Sequence, residues 1–446
     1  MTDYRTIADA IAADIASGAL KIGDRLPPQR EFAWRHGIAV STASRVYSEL
    51  VRRGLVSGEV GRGTFVSAPA GMPGLPLYEM RQDRIDLELN YSVLPEIPSM
   101  VAPAMAGLAD PQMLGLALLP SAVQGTDAIR ADAARVMTHG GWTPDPASIG
   151  ISGNGRQAIA AALSALAPAG ERVGIERMTY PVAKAILARL GLRAVPLAMD
   201  EHGVTPEAIE EAQRAGPMRA IYLQPTLHNP LGITMPEGRR AAIATVLRRH
   251  DIVAIEDTIY AFLEEHAPAP LAAHAPDHTV VVDSLSKRVA PGLTLGLLSS
   301  PAALGDAVSL SLRSGGWRPQ TYGLLAAGRI MSGDIVETTV AMRRRDAAAR
   351  QSLARERLAG FELSGDARAY HLWLTLPGGW RADTFVAAAS RRGVAVMPAA
   401  AFAAGPGHAP NAVRLALASP PMDVLAEALD VLAAVARSDP DDTIVE

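Results

Sequence analysis

Apolar residues recur at helical spacing near the start of the chain. Ile7, Ile11 and Ile15 fall on one face of residues 3–17, so the spacing predicts an amphipathic helix there. Gly18, Gly23 and the pair Pro27-Pro28 then break the pattern. A second short helix is expected from Gln29 to His36, closed by Gly37. Ser41 and Thr42 stand where they would cap a third helix, running to about Arg53 and stopping at Gly54. "LVSGEVGRGTFV" reads as two short strands around a Gly-rich turn. Residues 68–83 are rich in Pro and Gly and read as a linker. From about 84 the pattern changes. "RVGIE", "RAIYLQP", "IVAIED" and "TVVVDS" are short continuous apolar runs, separated by Ala/Leu-rich helical stretches such as "RQAIAAALSALA" and "GRRAAIATVLRRH". Buried parallel strands with crossover helices give a doubly wound α/β sheet.

The expected organisation is therefore a helix–helix–helix–ribbon module at 1–67, a linker at 68–83 and a large α/β domain at 84–446. The first module has the order of elements of a winged helix-turn-helix. Composition limits what else the chain is. With 446 residues and 49% apolar content it can bury sizeable cores, and a net charge of −4 excludes a polybasic nucleic-acid binder overall. Residues 1–67 hold nine Lys/Arg against seven Asp/Glu, a local net of +2. Cysteine is absent, which excludes disulfides, thiol catalysis and Cys-ligated metals. No metal site is expected. The opening residues lack the pattern of a signal peptide, and no apolar run is long enough to span a membrane. A cytoplasmic protein is the expectation.

In an α/β sheet of this kind, ligands bind beyond the carboxyl ends of the strands. Ser152-Gly153-Asn154-Gly155-Arg156 follows the apolar run "SIGI" and opens a helix, where backbone N–H groups can cradle a phosphate. Asp257 ends an apolar run with Tyr260 three residues on; it is placed either to cap a helix or to hold a protonated ring nitrogen. Asn229 precedes Pro230 in a turn. Lys287 follows "TVVVDSLS" and reads either as a solvent-exposed lysine or as a nucleophile. The run "MRRR" at 342–345 reads as an exposed helix face.

Two resemblances sharpen these readings. "GDRLPPQREFAWRHGIAVSTASRVYSELVRRGLVSGEVGRGTFV" resembles the DNA-binding domain of the GntR family of bacterial regulators, over nearly all of residues 3–67. The resemblance implies that the third helix enters the major groove and points to Arg30, Ser41, Thr42, Ser44, Arg45 and Arg62 as DNA contacts. Arg45 is the residue for a base, and Arg62 for backbone or minor groove. Arg52 and Arg53 read as answers to a helix dipole.

Over roughly residues 85–435, the order of phosphate turn, Tyr180, Asn229-Pro230, Asp257-x-x-Tyr260 and Ser284-x-Ser286-Lys287 is similar to that of pyridoxal-phosphate (PLP) enzymes of the aspartate-aminotransferase fold, fold type I. The resemblance implies that Lys287 forms a Schiff base with PLP and that Asp257 pairs with the ring nitrogen. It also implies that Asn229 and Tyr260 bond the 3′ oxygen, that Tyr180 stacks on the ring, and that Arg414 binds an effector carboxylate. The remaining cofactor residues would be Ser152, Gly153, Asn154, Gly155, Arg156, Ser284, Ser286 and Arg288.

The sequence departs from that pattern at the phosphate. Thr294 stands where the family has an arginine, and Leu118-Leu119-Pro120 where a tyrosine often reaches across a dimer. Arg288 and Arg156 are the nearby sources of the missing charge.

Together the two modules resemble the MocR subfamily of transcriptional regulators. That implies a head-to-tail homodimer on operator DNA that senses an amino compound or a vitamin B6 form through Lys287. Two alternatives stay open. One is a working aminotransferase with an accessory DNA-binding domain; the other is a cofactor-free regulator whose large domain only dimerises.

Overall fold

The structure, a computed structural model, describes residues 4–17, 19–21, 24–52, 55–59, 63–66, 84–91, 94–120, 125–405 and 409–439. The third helix's stop at Arg53-Gly54, Arg62, the expected linker at 68–83 and the tail at 441–446 lie outside them. The chain divides into two units, residues 1–80 and 81–446.

The first unit holds α1 (Tyr4–Ser17), α2 (Gln29–His36), α3 (Val40–Arg52) and an antiparallel ribbon, β1 (Val56–Glu59) with β2 (Gly63–Val66). Its core is the apolar face the spacing marks: Ile7, Ala8 and Ile11 of α1 meet Val46 and Leu50 of α3. Phe32 of α2 is buried there, with its ring edge-on to Tyr47 at 5.2 Å. Gly37 ends α2 with φ 61°, a left-handed conformation that a side chain disfavours. The ribbon is held to the segment between α1 and α2 through Leu26 N–H to Thr64 O and Val66 N–H to Asp24 O, each 2.8 Å. One expectation fails here. Ser41 and Thr42 are inside α3, whose first turn bonds back to the Ala39 carbonyl, so they are not its caps.

The second unit has two sheets. The larger contains β4 (Ile149–Ser152), β5 (Arg172–Glu176), β6 (Arg193–Leu197), β7 (Ala220–Leu223), β8 (Val253–Asp257), β9 (Thr279–Ser284) and β10 (Gly296–Ser299). Their order is β4-β10-β9-β8-β7-β5-β6. All run parallel except β10, which is antiparallel to both neighbours. Five of the seven are buried along all or nearly all their length, as continuous apolar runs require. Helices α4 (Gly155–Leu166), α5 (Pro181–Arg189) and α6 (Glu237–His250) lie in the connections between them, and the four-residue α7 (Leu285–Arg288) follows β9.

A second, five-stranded sheet was not expected from the pattern. It comprises β3 (Ile85–Leu87), β11 (Glu362–Ser364), β12 (His371–Thr375), β13 (Val394–Pro398) and β14 (Ala412–Ala416), in the order β11-β12-β14-β13-β3. Its core includes Leu372, Leu374, Val413 and Leu415, with Leu425 and Leu429 of α9 (Met422–Arg437). The long helix α8 (Ile335–Arg357) ties this sheet down: Arg350 donates to Leu417 O at 2.7 Å and Pro420 O at 2.6 Å. Among the described residues no helix is long and apolar enough to cross a membrane.

Candidate functional site

Four strands of the large sheet end at one place and deliver the polar residues. Ser152 closes β4, Asp257 closes β8 and Ser284 closes β9, while the turn after β7 carries Asn229. That turn is fixed from below by a buried pair. Arg240 of α6 meets Glu256 at 3.2 Å and donates to Pro225 O at 2.9 Å and Thr226 Oγ1 at 2.8 Å. Burial pushes the Glu256 carboxyl up to about 7 against the pull of Arg240.

Asp257 is buried, and its carboxylate is held by three donors. Tyr222 Oη donates to Oδ2 at 2.6 Å, Gln224 Nε2 to the same oxygen at 3.0 Å, and Ile259 N–H to Oδ1 at 3.0 Å. Burial raises its pKa to about 6 while these bonds pull the other way. Asp257 therefore caps no long helix; its neighbours orient it towards the strand ends.

Lys287 donates from Nζ to Asn90 O at 2.5 Å and lies 4.0 Å from the centre of the Tyr91 ring. Burial first, then the charges of Arg156, Arg414 and Arg343, lower it to about 7. Together Lys287, Asn90, Tyr260, Ser286, Arg343, Tyr370 and Ala418 line one pocket. Tyr260 stands over His371, ring centres 5.4 Å apart.

Arg414 is buried on β14. It donates to Asn229 Oδ1 at 3.2 Å and to Glu88 O, and its guanidinium lies 5.0 Å from the Phe402 ring centre. Of the residues from far-apart stretches of sequence, Lys287 and Tyr260 thus line one pocket, while Arg414, bonded to Asn229, acts on both through its charge. Tyr180 immediately precedes α5 and hydrogen-bonds Arg156.

Around the phosphate turn the backbone approaches closely. A Cβ on Gly296 would fall 2.2 Å from Ser152 Oγ and 2.2 Å from Asn154 O, and one on Gly155 would fall 3.0 Å from Ser284 Cβ. Asn154 caps α4, accepting from Gln157 N–H at 3.0 Å. The antiparallel return of β10 sets Thr294 beside this turn: Ser284 Oγ is 2.6 Å from Ser286 Oγ and 3.2 Å from Thr294 Oγ1. This is a narrow cradle of hydroxyls at a helix start, with a buried lysine of lowered pKa and a buried carboxylate in the same domain. That donor set fits PLP.

Two readings of the sequence are corrected. Arg288 does not face the cradle; it is buried in an ion pair with Asp283 at 2.5 Å, 5.1 Å from the Phe262 ring centre. A buried guanidinium needs acceptors, and the Asp283 carboxylate at the same strand end supplies one. The run at 342–345 is not uniformly exposed either. Arg343 is 1% exposed and donates to the carbonyls of Arg288 and Val289, clamping the segment behind Lys287. Only its distance of about one helical turn from Ala347 and Thr339, also buried, marks it as inward-facing. Asn90, Tyr91, Tyr222 and Gln224 were not singled out from the sequence, since each is an isolated polar residue in or beside an apolar run.

In the first unit, Arg30, Ser41 and Arg45 are exposed, while Thr42 and Ser44 are half-buried.

Comparison with known proteins agrees with both units. The family model for aminotransferase class I and II matches residues 119–432, and that for bacterial regulatory proteins of the gntR family matches residues 3–66. The crystal structure of an archaeal alanine:glyoxylate aminotransferase superposes with a TM-score of 0.72 at 19% identity, covering 79% of this chain and 91% of that one. Fold and family define this class: the chain belongs to the aminotransferase class I and II family. With a gntR-type domain ahead of the aminotransferase-like one, it has the MocR-type architecture of a DNA-binding transcriptional regulator. It is similar along nearly its whole length to the uncharacterized HTH-type transcriptional regulator YdeF of Bacillus subtilis, 28% identical over 94% of this chain and 90% of that protein. It is also 29% identical to the vitamin B6 salvage pathway transcriptional repressor PtsJ of Salmonella typhimurium, over 71% of this chain and 72% of that protein.

Proposed function

We propose that this regulator binds PLP at Lys287 and senses an amino compound, or a vitamin B6 form itself, through that site. One observation supports the reading: Lys287 and Tyr260 line one pocket, with the Arg414–Asn229 pair acting on Lys287 by its charge, in a chain that also has a gntR-type unit. Lys287, lowered to about 7, is the nucleophile for the cofactor's aldehyde carbon. Asp257 holds the ring nitrogen, Asn229 and Tyr260 the 3′ oxygen, and Tyr180 the ring face. Ser152 to Arg156, with Ser284 and Ser286, hold the phosphate. When bound, PLP supplies an electrophilic carbon and an electron-withdrawing ring. Arg414 presents a planar guanidinium to an effector carboxylate.

DNA is bound by the domain at 1–67, through Arg30, Ser41, Thr42, Ser44, Arg45 and Arg62, and residues 68–83 link it to the ligand domain at 84–446. Release of Lys287 by an amine would bias the DNA-binding arrangement by the 1–3 kcal/mol or so typical of allosteric coupling. The working form is a cytoplasmic head-to-tail homodimer. Leu118 is 86% exposed and Leu119 58%, and Thr321 bonds the Leu119 carbonyl beside Tyr322, 47% exposed. An apolar patch of this kind is usual at an interface.

The test is a spectral titration of the purified protein with PLP and then a panel of amines, read alongside affinity for its own promoter fragment. The expected result is visible absorbance that is lost in Lys287→Ala and DNA affinity that shifts with an amine. No promoter binding with or without PLP would refute the reading.

The completeness of the Lys287, Asp257 and Arg414 set also supports a second reading, a working aminotransferase. Single-turnover conversion of bound PLP to its amine form by common amino acids would establish it. No conversion across a broad panel removes it.

A further inference from the structure

Residues 88–91 run past Lys287 and Arg414 as one short strap. They follow β3, which pairs in parallel with β13 at the edge of the small sheet. The Asp86 carboxylate turns the chain into the strap, accepting from the N–H groups of Glu88 at 2.7 Å and Leu89 at 3.1 Å. The Glu88 carbonyl then accepts from Arg414. The Asn90 carbonyl accepts from Lys287 Nζ at 2.5 Å, and the Tyr91 ring centre lies 4.0 Å from the same nitrogen. Ser419, just past β14, staples the strap: its Oγ donates to Leu89 O and accepts from Tyr91 N–H at 3.0 Å. Ala418 N–H meets Asn90 Oδ1 at 3.4 Å.

Binding an aldehyde takes away the donors that Lys287 offers this strap. The neutral amine adds to the aldehyde carbon and a carbon–nitrogen double bond forms. The carbonyl oxygen leaves as water with both amine hydrogens. Protonation returns one hydrogen at most, in a direction fixed by the double bond, where the free ammonium turns three. The carbon added to Nζ also needs room beside the Tyr91 ring. Upstream in sequence, the strap continues through β3 to residues 68–83 and the first unit. β3 is three residues long and has one neighbouring strand, so its pairing opens at less cost than that of a central strand.

We infer that residues 88–91 carry the occupancy of Lys287 to the DNA-binding unit: ligand capture loosens the strap, and the loosened strap frees β3. Ser419 is the positioning residue that holds the strap in its ligand-free place. The inference rests on the reading that PLP binds at Lys287.

The test uses full-length protein, PLP and the promoter fragment. Hydrogen exchange in a peptide covering residues 84–91, read by mass spectrometry, should speed up when wild-type protein is loaded with PLP. Ser419→Ala removes the staple and leaves Lys287 and Arg414 in place. A strap already loosened costs the ligand less, so by linkage this variant should bind PLP about two- to tenfold more tightly, the worth of one hydrogen bond. Its ligand-free DNA affinity should move towards that of PLP-loaded wild type, and its PLP-dependent shift in DNA affinity should shrink. A residue that merely stabilised the fold would not tighten the cofactor. Exchange at 84–91 that is unchanged or slower on PLP loading would overturn the inference. So would PLP binding in Ser419→Ala no tighter than in wild type, or a DNA shift as large as the wild type's. If PLP gives Lys287-dependent absorbance yet leaves wild-type DNA affinity unchanged, the strap is no relay and the cofactor reading stands. If wild-type protein gives no such absorbance, the cofactor reading itself falls, and this inference with it.

Discussion

The state of Lys287 gives the sharpest test of the site. Its Nζ is drawn to the Asn90 carbonyl at 2.5 Å, under the Tyr91 ring, with Arg156, Arg414 and Arg343 all repelling a proton there. Burial first, and then those three charges, lower the amine from 10.5 to about 7. At pH 8 such an amine is about nine-tenths neutral, whereas an ordinary lysine is roughly 0.3% neutral, a difference of about 300-fold in available nucleophile. The rate of pyridoxal capture, followed by visible absorbance, should therefore rise with pH to a plateau with its midpoint near 7. Pyridoxal is the better probe because it has no phosphate of its own to titrate. Arg156→Gln removes the largest of the three repelling charges and should move the midpoint upward. Stability follows with a definite sign. Between about 7 and 10.5 the unfolded chain holds a proton on this lysine that the folded chain does not, so this lysine makes stability rise with pH across that window. Lys287→Met should flatten that slope. A capture midpoint above pH 9, or a slope unchanged in Lys287→Met, would refute the argument.

Three further outcomes are expected. Tyr222→Phe removes a donor from Asp257 Oδ2, a bond to a charged group worth about 1.5–3 kcal/mol, and should raise the pH at which Asp257 loses its proton by about one to two units; the pH titration of the bound-cofactor spectrum reads this directly. Arg240→Ala leaves Glu256 buried without its partner and frees the Pro225 carbonyl, so it should cost about 3–5 kcal/mol in denaturant unfolding of the second unit. Arg45→Ala, on the exposed face of α3, should lose about 1–3 kcal/mol of discrimination between the promoter fragment and scrambled DNA while leaving cofactor absorbance intact.

The elements with strong periodicity were legible in the sequence. α2 spans Gln29–His36 and ends at Gly37, as the pattern and the glycine predict. The apolar runs "IVAIED" and "TVVVDS" contain β8 and β9, because a parallel strand covered on both faces has to be apolar throughout. The small sheet was not legible. Two of its five strands, Ile85–Leu87 and Glu362–Ser364, are only three residues long, and nothing local distinguishes them from loop. The start of α3 was misread because a hydroxyl before a helix and one inside its first turn look alike in sequence.

By itself the sequence determined the two-module plan and the kinds of residue at each strand end, since both follow from local periodicity and from motif order. Tertiary structure decided which of several arginines do which work. Arg288 is adjacent to Lys287 in sequence yet is withdrawn into Asp283, while Arg156, 131 positions earlier, acts on Lys287 through its charge. Arg343, in a run that reads as surface, is buried behind it. The reason is physical. A charge takes its role from the partner and the dielectric it meets, and both are set by distant segments that only folding brings together.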